Sequence, residues 1–203
     1  MSKLQGLRTL SALALFSVTF VLAQAPQGGP APAGKAAAAK GPAFRMTSSS
    51  WPDGAEIPAK YTMAGGSTSP ALEWSYVPAG TLSFLLLCHD PDVALQRKLD
   101  DVTHWIAWNI PATVSSLPEG VKEAATQPDG TVQGKNQRGA NAYMGPGAPA
   151  TSPMHHYMWE IYALDIKLDI GPDAPRADVM KAIDGHILSK AIFTGRYHQP
   201  AAQ

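Results

Sequence analysis

The sequence predicts a mainly β (α+β) domain, and three observations carry that reading. Apolar runs rich in branched and aromatic residues recur at Leu82–His89, His104–Ile110 and His156–Leu164. Clusters of Pro, Gly, Asp and Ser separate such runs. Only the stretch after Pro175 has apolar residues at helical spacing.

The chain opens with a segment of another kind. Lys3 and Arg8 form a basic start, and Leu10–Leu22 is an apolar run of signal-peptide length, short for a membrane span. Residues 1–23 therefore read as a secretory signal, with cleavage after Ala23. A buried N-terminal helix is the alternative. No Cys stands directly after the apolar run to carry a lipid anchor. Residues 24–42 are rich in Ala, Pro and Gly and lack aromatic or β-branched side chains, so a disordered tether is expected.

One domain follows, residues 43–198, with a short tail at 199–203. Phe44–Ser48 and Ala71–Tyr76 alternate as half-buried strands do. Leu82–His89 is a longer, mostly apolar run, which suits a central strand covered on both faces. His104–Ile110 and His156–Leu164 follow, and Ile187–Tyr197 reads as a late strand. The turns are Pro52-Asp53-Gly54, Gly65-Gly66-Ser67, Pro78-Ala79-Gly80, Pro118-Glu119-Gly120 and Pro128-Asp129-Gly130. A helix is expected with Pro175 in its first turn, Val179, Met180 and Ile183 on its apolar face, and Gly185 ending it. VALQRKLDD, between Pro91 and Thr103, suits a short helix or a polar loop.

Charge and cysteine content exclude several classes. The chain has 16 basic and 16 acidic residues, 14 and 16 without Lys3 and Arg8, and no basic block. That balance argues against nucleic acid and against an electrostatic membrane patch. Cys88 is the sole cysteine and lies in an apolar strand, so it reads as a small buried hydrophobe.

Polar groups gather in three places. His89-Asp90-Pro91-Asp92 ends the central strand. His104 begins the next. Tyr143–Trp159 runs from a Gly/Pro-rich loop into a strand bearing His155 and Tyr157. Side chains two apart share a strand face, so His155 and Tyr157 point the same way and His156 the other. Imidazoles, a phenol and loop N–H groups together suit an anion. No metal signature occurs, although His89, Asp90, His104 and His155 can be assembled on paper. Nor is there a nucleophile elbow or a nucleotide-binding glycine string.

In order and spacing, several segments resemble the phosphatidylethanolamine-binding protein family, which includes the Raf kinase inhibitor protein, and in particular its small bacterial branch. They are FRMTSSSWPDGAEIPAKYTMAGGSTSPALEWSYVPAGTLSFLLLCHDPD, HWIAWNIP, GPGAPATSPMHHYMWEIYALD and GHILSKAIFTGRY. The resemblance implies a large central antiparallel sheet, a second smaller sheet, a few peripheral helices and a shallow anion pocket. It carries the family's pocket residues onto Asp90, Asp92, His104, Gly145, Gly147, Pro149, His155 and Tyr157. Ala94 and Ala148 stand where the family usually has proline, at the expected pocket rim.

An exported, periplasmic or secreted binding protein for a small anionic or phosphorylated ligand is therefore expected, without cofactor, metal or catalytic residue, and without an integral membrane segment once processed. Asp90 is expected to orient His104 or to receive a ligand ammonium. Two other readings stay open. One is an inhibitor or adaptor binding a protease or envelope protein. The other is a phosphoester hydrolase using Asp90 and His104. A protein partner and a homodimer are not decided by the sequence.

Overall fold

The computed structural model describes residues 41–97 and 99–201. The expected signal, and the tether as far as residue 40, lie outside the described residues, as do the last two residues of the tail.

The strands expected from pattern, joined by two two-residue strands that the pattern did not show, form two antiparallel sheets. β1 (Arg45–Thr47), β2 (Leu72–Ser75) and β5 (Ser116–Leu117) make the smaller sheet, in the order β1-β2-β5. β3 (Ser83–Asp90), β4 (Val102–Pro111), β6 (Val132–Gln133), β7 (His155–Leu164) and β8 (Ile187–Tyr197) make the larger, in the order β6-β4-β3-β7-β8.

β3 is the middle strand, and all of its residues are buried. Its two faces feed separate cores. Phe84, Leu86 and Cys88 pack with Trp105, Trp159, Ile161 and Phe193 beneath the smaller sheet, which contributes Leu72 and Trp74. Leu85 and Leu87 pack with Ile106, Trp108 and Tyr162 on the other face. The long, mostly apolar run is thus a two-sided strand. Cys88 is fully buried, and that burial first, then the charge of Asp90, pushes its thiol well above the ordinary range.

The second core is closed by α1 (Arg176–Ala182), capped at its N-terminus by Pro175. Val179 and Ile183 are buried in this core, with Met180 packed partly against it. Gly185, at φ +81°, takes the chain out of the helix in a conformation that favours glycine. Among the described residues of VALQRKLDD there is one 3-10 turn, Leu95–Arg97, closed by Arg97 at φ +59°, and no α-helix.

β8 is an edge strand that is half covered. The segment at 53–57 runs beside its C-terminal end. There Gly54 N–H donates to Thr194 O, Arg196 N–H to Ala55 O and Ile57 N–H to Arg196 O. Trp51 Nε1–H donates to Thr194 O at 3.1 Å. Gly195 lies beneath this segment, where an added Cβ would come within 2.5 Å of Ile57 Cγ1 and 2.8 Å of Trp51 Nε1.

Candidate functional site

Three neighbouring strands of the larger sheet bring the site together. β3 ends at Asp90, β7 supplies His155 and Tyr157, and β4 supplies His104. His155 and Tyr157 share a face, as strand alternation requires.

His104 arrives by a different route. The β3–β4 register runs Cys88↔Trp105 and then His89↔Thr103, which leaves His104 as the extra residue of a bulge. A bulge re-aims side chains from strict alternation. Here it brings His104 to the face already occupied by Trp105, edge-on to Tyr157, with ring centroids 5.1 Å apart at 86°.

Asp90 is the centre of the cluster and is 3% exposed. One of its oxygens meets His155 Nδ1 at 2.8 Å, and the other accepts the Asp92 N–H at 3.0 Å. The expectation that Asp90 orients His104 is corrected: it orients His155. His104 Nδ1 instead meets the Met144 carbonyl at 2.7 Å. The bulge and the seating of the 143–149 loop decide this, and neither is visible in a local motif. The acid–base pair imagined for a hydrolase, Asp90 with His104, is not a hydrogen-bonded pair.

Carbonyls and carboxylates ionised at neutral pH only accept, so Nδ1 carries the proton in both His104 and His155. In each neutral ring, Nε2 is then a lone-pair nitrogen, the one left for a ligand. Burial pushes His104 below the ordinary histidine range, against the opposing pull of the Met144 carbonyl and Asp90. The Tyr157 hydroxyl accepts the Ala148 N–H at 3.2 Å. Burial and then the Asp90 charge raise Tyr157 far above its ordinary value, so it stays a phenol with a proton to give.

The remaining expected residues sort themselves. Asp92 does not join the site. It lies at the surface and accepts from the His156 N–H at 2.6 Å, with His156 Nδ1 at 2.9 Å, because the turn after Asp90 carries it away. Burial raises its carboxyl, but these His156 contacts outweigh that and hold it below the ordinary range. Pro149 is exposed on the outer side of the loop, its carbonyl accepting from Ser152.

Gly145 and Gly147 act through packing. A Cβ on Gly145 would lie 2.5 Å from the Thr62 carbonyl carbon and 2.6 Å from Tyr61 O. A Cβ on Gly147 would overlap the Met63 methyl. Ala148 is buried and anchors Tyr157, so it is an inner residue, not a rim residue. His89 points to the opposite sheet face, where Nδ1 meets Asp101 at 2.7 Å, so the four-residue metal set assembled from sequence is not formed. Sequence reasoning missed Met63 and the Met144 carbonyl. A methionine gives no local motif, and a carbonyl acceptor has no side-chain signature.

A stability prediction follows from His104. Its folded pKa lies below the unfolded value of about 6.5. Above that pH both states hold it neutral. As pH falls below it, the unfolded chain takes up a proton that the folded domain resists, and stability drops. The melting temperature should therefore fall between about pH 7 and pH 5 more steeply for the wild type than for His104→Gln. Equal slopes in thermal scans would contradict this.

Comparison with known proteins agrees with the architecture. The phosphatidylethanolamine-binding protein family model matches residues 47–198. A UPF0098 protein of Methanothermobacter thermautotrophicus is 41% identical over 147 residues, covering 72% of this chain and 93% of that protein. A phosphatidylethanolamine-binding protein homolog from Chlamydia trachomatis superposes with TM-score 0.68 at 34% identity, over 77% of this chain and 98% of its own. The E. coli protein YbcL, described as a new member of the mammalian family, gives TM-score 0.68 at 32% identity, with the same coverages.

Proposed function

Because this chain belongs to the phosphatidylethanolamine-binding protein family, we propose that it is an anion-binding protein that takes the phosphate of a small phosphorylated ligand at Asp90, His104, His155 and Tyr157. One observation carries the reading. Two imidazoles and a phenol surround a single buried carboxylate whose two oxygens are already occupied by His155 and the Asp92 N–H. That compensation tempers the repulsion a phosphate would otherwise meet. Residues 1–23 support action outside the cytoplasm, in the periplasm or beyond. No side chain at the cluster is arranged as a nucleophile with its base, so binding is the role we assign.

Binding on this reading is coupled to protons. Both histidines present a lone pair at Nε2 when neutral, and a phosphate oxygen presents another. Either the imidazole or the phosphate must carry the proton between them. A phosphate ester has its second pKa near about 6, and His104 titrates below about 6.5. Affinity for phosphate should therefore rise as pH falls from about 7.5 to about 5.5. Flat affinity across that range would remove the proton-coupled site.

The deciding experiment is calorimetric titration of residues 24–203 with phosphate and with phosphoethanolamine, beside His104→Ala and Tyr157→Phe. Each variant should weaken binding roughly ten- to hundredfold, as expected for losing one hydrogen bond to a charged group of about 1.5–3 kcal/mol. Tighter binding of phosphoethanolamine than of phosphate would assign Asp90 the ligand ammonium. A folded wild type that binds neither compound would overturn the proposal.

A further inference from the structure

Behind the anion cluster, the opposite face of the larger sheet carries a row of charged groups. Arg176 of α1 holds Asp101, Asp101 Oδ2 meets His89 Nδ1 at 2.7 Å, and His89 Nε2 faces Glu160 Oε2 at 3.9 Å. Glu160 is held in turn by Lys190 Nζ at 3.0 Å and by the Tyr162 hydroxyl. His89 and Glu160 are both buried. His89 belongs to β3 and Glu160 to β7, and Asp101 directly precedes β4. These are the three strands that carry the anion cluster on the front face.

A buried ion pair adds little to stability once desolvation is counted, and fixing register is its best-attested use. The register here has a slip to fix. Pairing runs Cys88↔Trp105, then His89↔Thr103 and Asp90↔Val102. Residues directly opposite share a face. Thr103 therefore lies with His89 on the back, and Asp101, two positions on, lies there as well. Straight pairing beyond Cys88 would set His104 opposite His89 and Thr103 opposite Asp90. Every side chain from 104 back to 101 would then change faces. His104 would point to the back, away from Tyr157. Asp101 would point to the front, about 3.3 Å farther along the strand and out of reach of His89. The His89–Asp101 pair is compatible with the bulged register and not with the straight one.

We propose that His89 is a positioning residue for the anion site, acting with Asp101 to hold the slip that aims His104 at Tyr157. The role rests on the anion reading of that site. Nδ1 is the working nitrogen. A carboxylate only accepts, so Nδ1 carries a proton and donates it to Asp101. Nε2 is buried without a hydrogen-bond partner among the described residues, so it makes no directional bond. The 143–149 loop is seated on the slip. Met144 N–H donates to His104 O at 2.8 Å, and Met144 O accepts from His104 Nδ1 at 2.7 Å. A change of register would take both bonds with it.

The test compares His89→Leu, Asp101→Ala and His89→Asn with the wild type in residues 24–203. Two readings are taken from each: the nuclear Overhauser contact between the His104 and Tyr157 rings without ligand, and the affinity for inorganic phosphate. Leucine continues the back-face row of Leu85 and Leu87, and it leaves Asp101 with Arg176 and Glu160 with Lys190. No charge is stranded, so the domain should fold. His89→Leu should erase the ring contact and weaken phosphate binding roughly tenfold or more, the effect of losing the His104 hydrogen bond. Asp101→Ala removes the acceptor and keeps the ring, and should do the same. Asparagine offers an N–H where imidazole has Nδ1. His89→Asn should therefore restore the ring contact and bring affinity to within about threefold of the wild type. A ring contact that survives His89→Leu and Asp101→Ala would overturn the proposal. So would an asparagine variant that behaves as the leucine one. The ring contact is read without phosphate, so a wild type that shows it yet binds no phosphate would sink the anion reading and leave the register assignment standing.

Discussion

Gly145→Ala should destabilise the domain by about 3 kcal/mol and weaken phosphate binding at least tenfold, whereas Gly147→Ala should cost less than about 1.5 kcal/mol. The two glycines are two residues apart in one loop, and their backbones ask for different things. A methyl group added to Gly145 would meet backbone alone, at 2.5 Å from Thr62 C, 2.6 Å from Tyr61 O and 2.7 Å from Met63 N. None of those atoms can turn aside. The loop would have to lift, and with it the Met144 carbonyl that holds His104. At Gly147 the overlap is with the far end of the Met63 side chain, which has three rotatable bonds and can move. Urea denaturation of both variants, followed by phosphate titration, measures the contrast. Equal costs would show that the loop is not seated on residues 61–63 as described.

Trp159→Ala is the second large effect, a loss of about 3–5 kcal/mol, against a total of about 5–15 kcal/mol for a typical domain. Trp159 is fully buried and lies opposite both Cys88 and Phe193. Its ring stands 5.3 Å from Trp51, 6.0 Å from Phe193 and 6.4 Å from Tyr143. Removing it opens a cavity between rigid rings that cannot collapse far. Tyr143 begins the loop that seats His104, so phosphate affinity should fall together with stability. Trp159→Phe should cost clearly less, because the indole Nε1–H has no hydrogen-bond partner and its loss removes an unsatisfied donor. A phenylalanine variant as unstable as the alanine variant would contradict this account of the packing.

Much of this was legible in the residues. The long, mostly apolar run before Asp90 suits a strand covered on both sides, and β3 is one. The spacing of two between His155 and Tyr157 put both on one face without further help. Pro175 and Gly185 bracketed α1 because each has a backbone preference that acts locally. His104 was harder, since strict alternation misplaces it and only the bulge turns it inward. The partner of Asp90 was harder still. Asp90 had two imidazoles within plausible reach, and the choice of His155 depends on how the 143–149 loop sits against residues 61–63. Asp92 shares one short motif with Asp90, but a turn between them sends the two carboxylates to different surroundings. Backbone carbonyls and a methionine completed the cluster, and neither has a pattern to read.

The closure of the chain on itself has a consequence in time. Trp51 and Ile57 find their shelter against Thr194–Arg196, and the indole of Trp51 reaches across 143 positions to do so. At about 5–20 residues per second, a ribosome needs on the order of ten seconds to make the stretch between them. Throughout that interval the last strand that completes their cover is missing. Folding of the larger sheet can begin with the neighbouring β3–β4 pair, but the domain cannot be completed until its last strand has emerged. The nascent chain therefore passes through a dependable window in which its N-terminal segment is sticky and open to any factor that recognises exposed tryptophan and isoleucine.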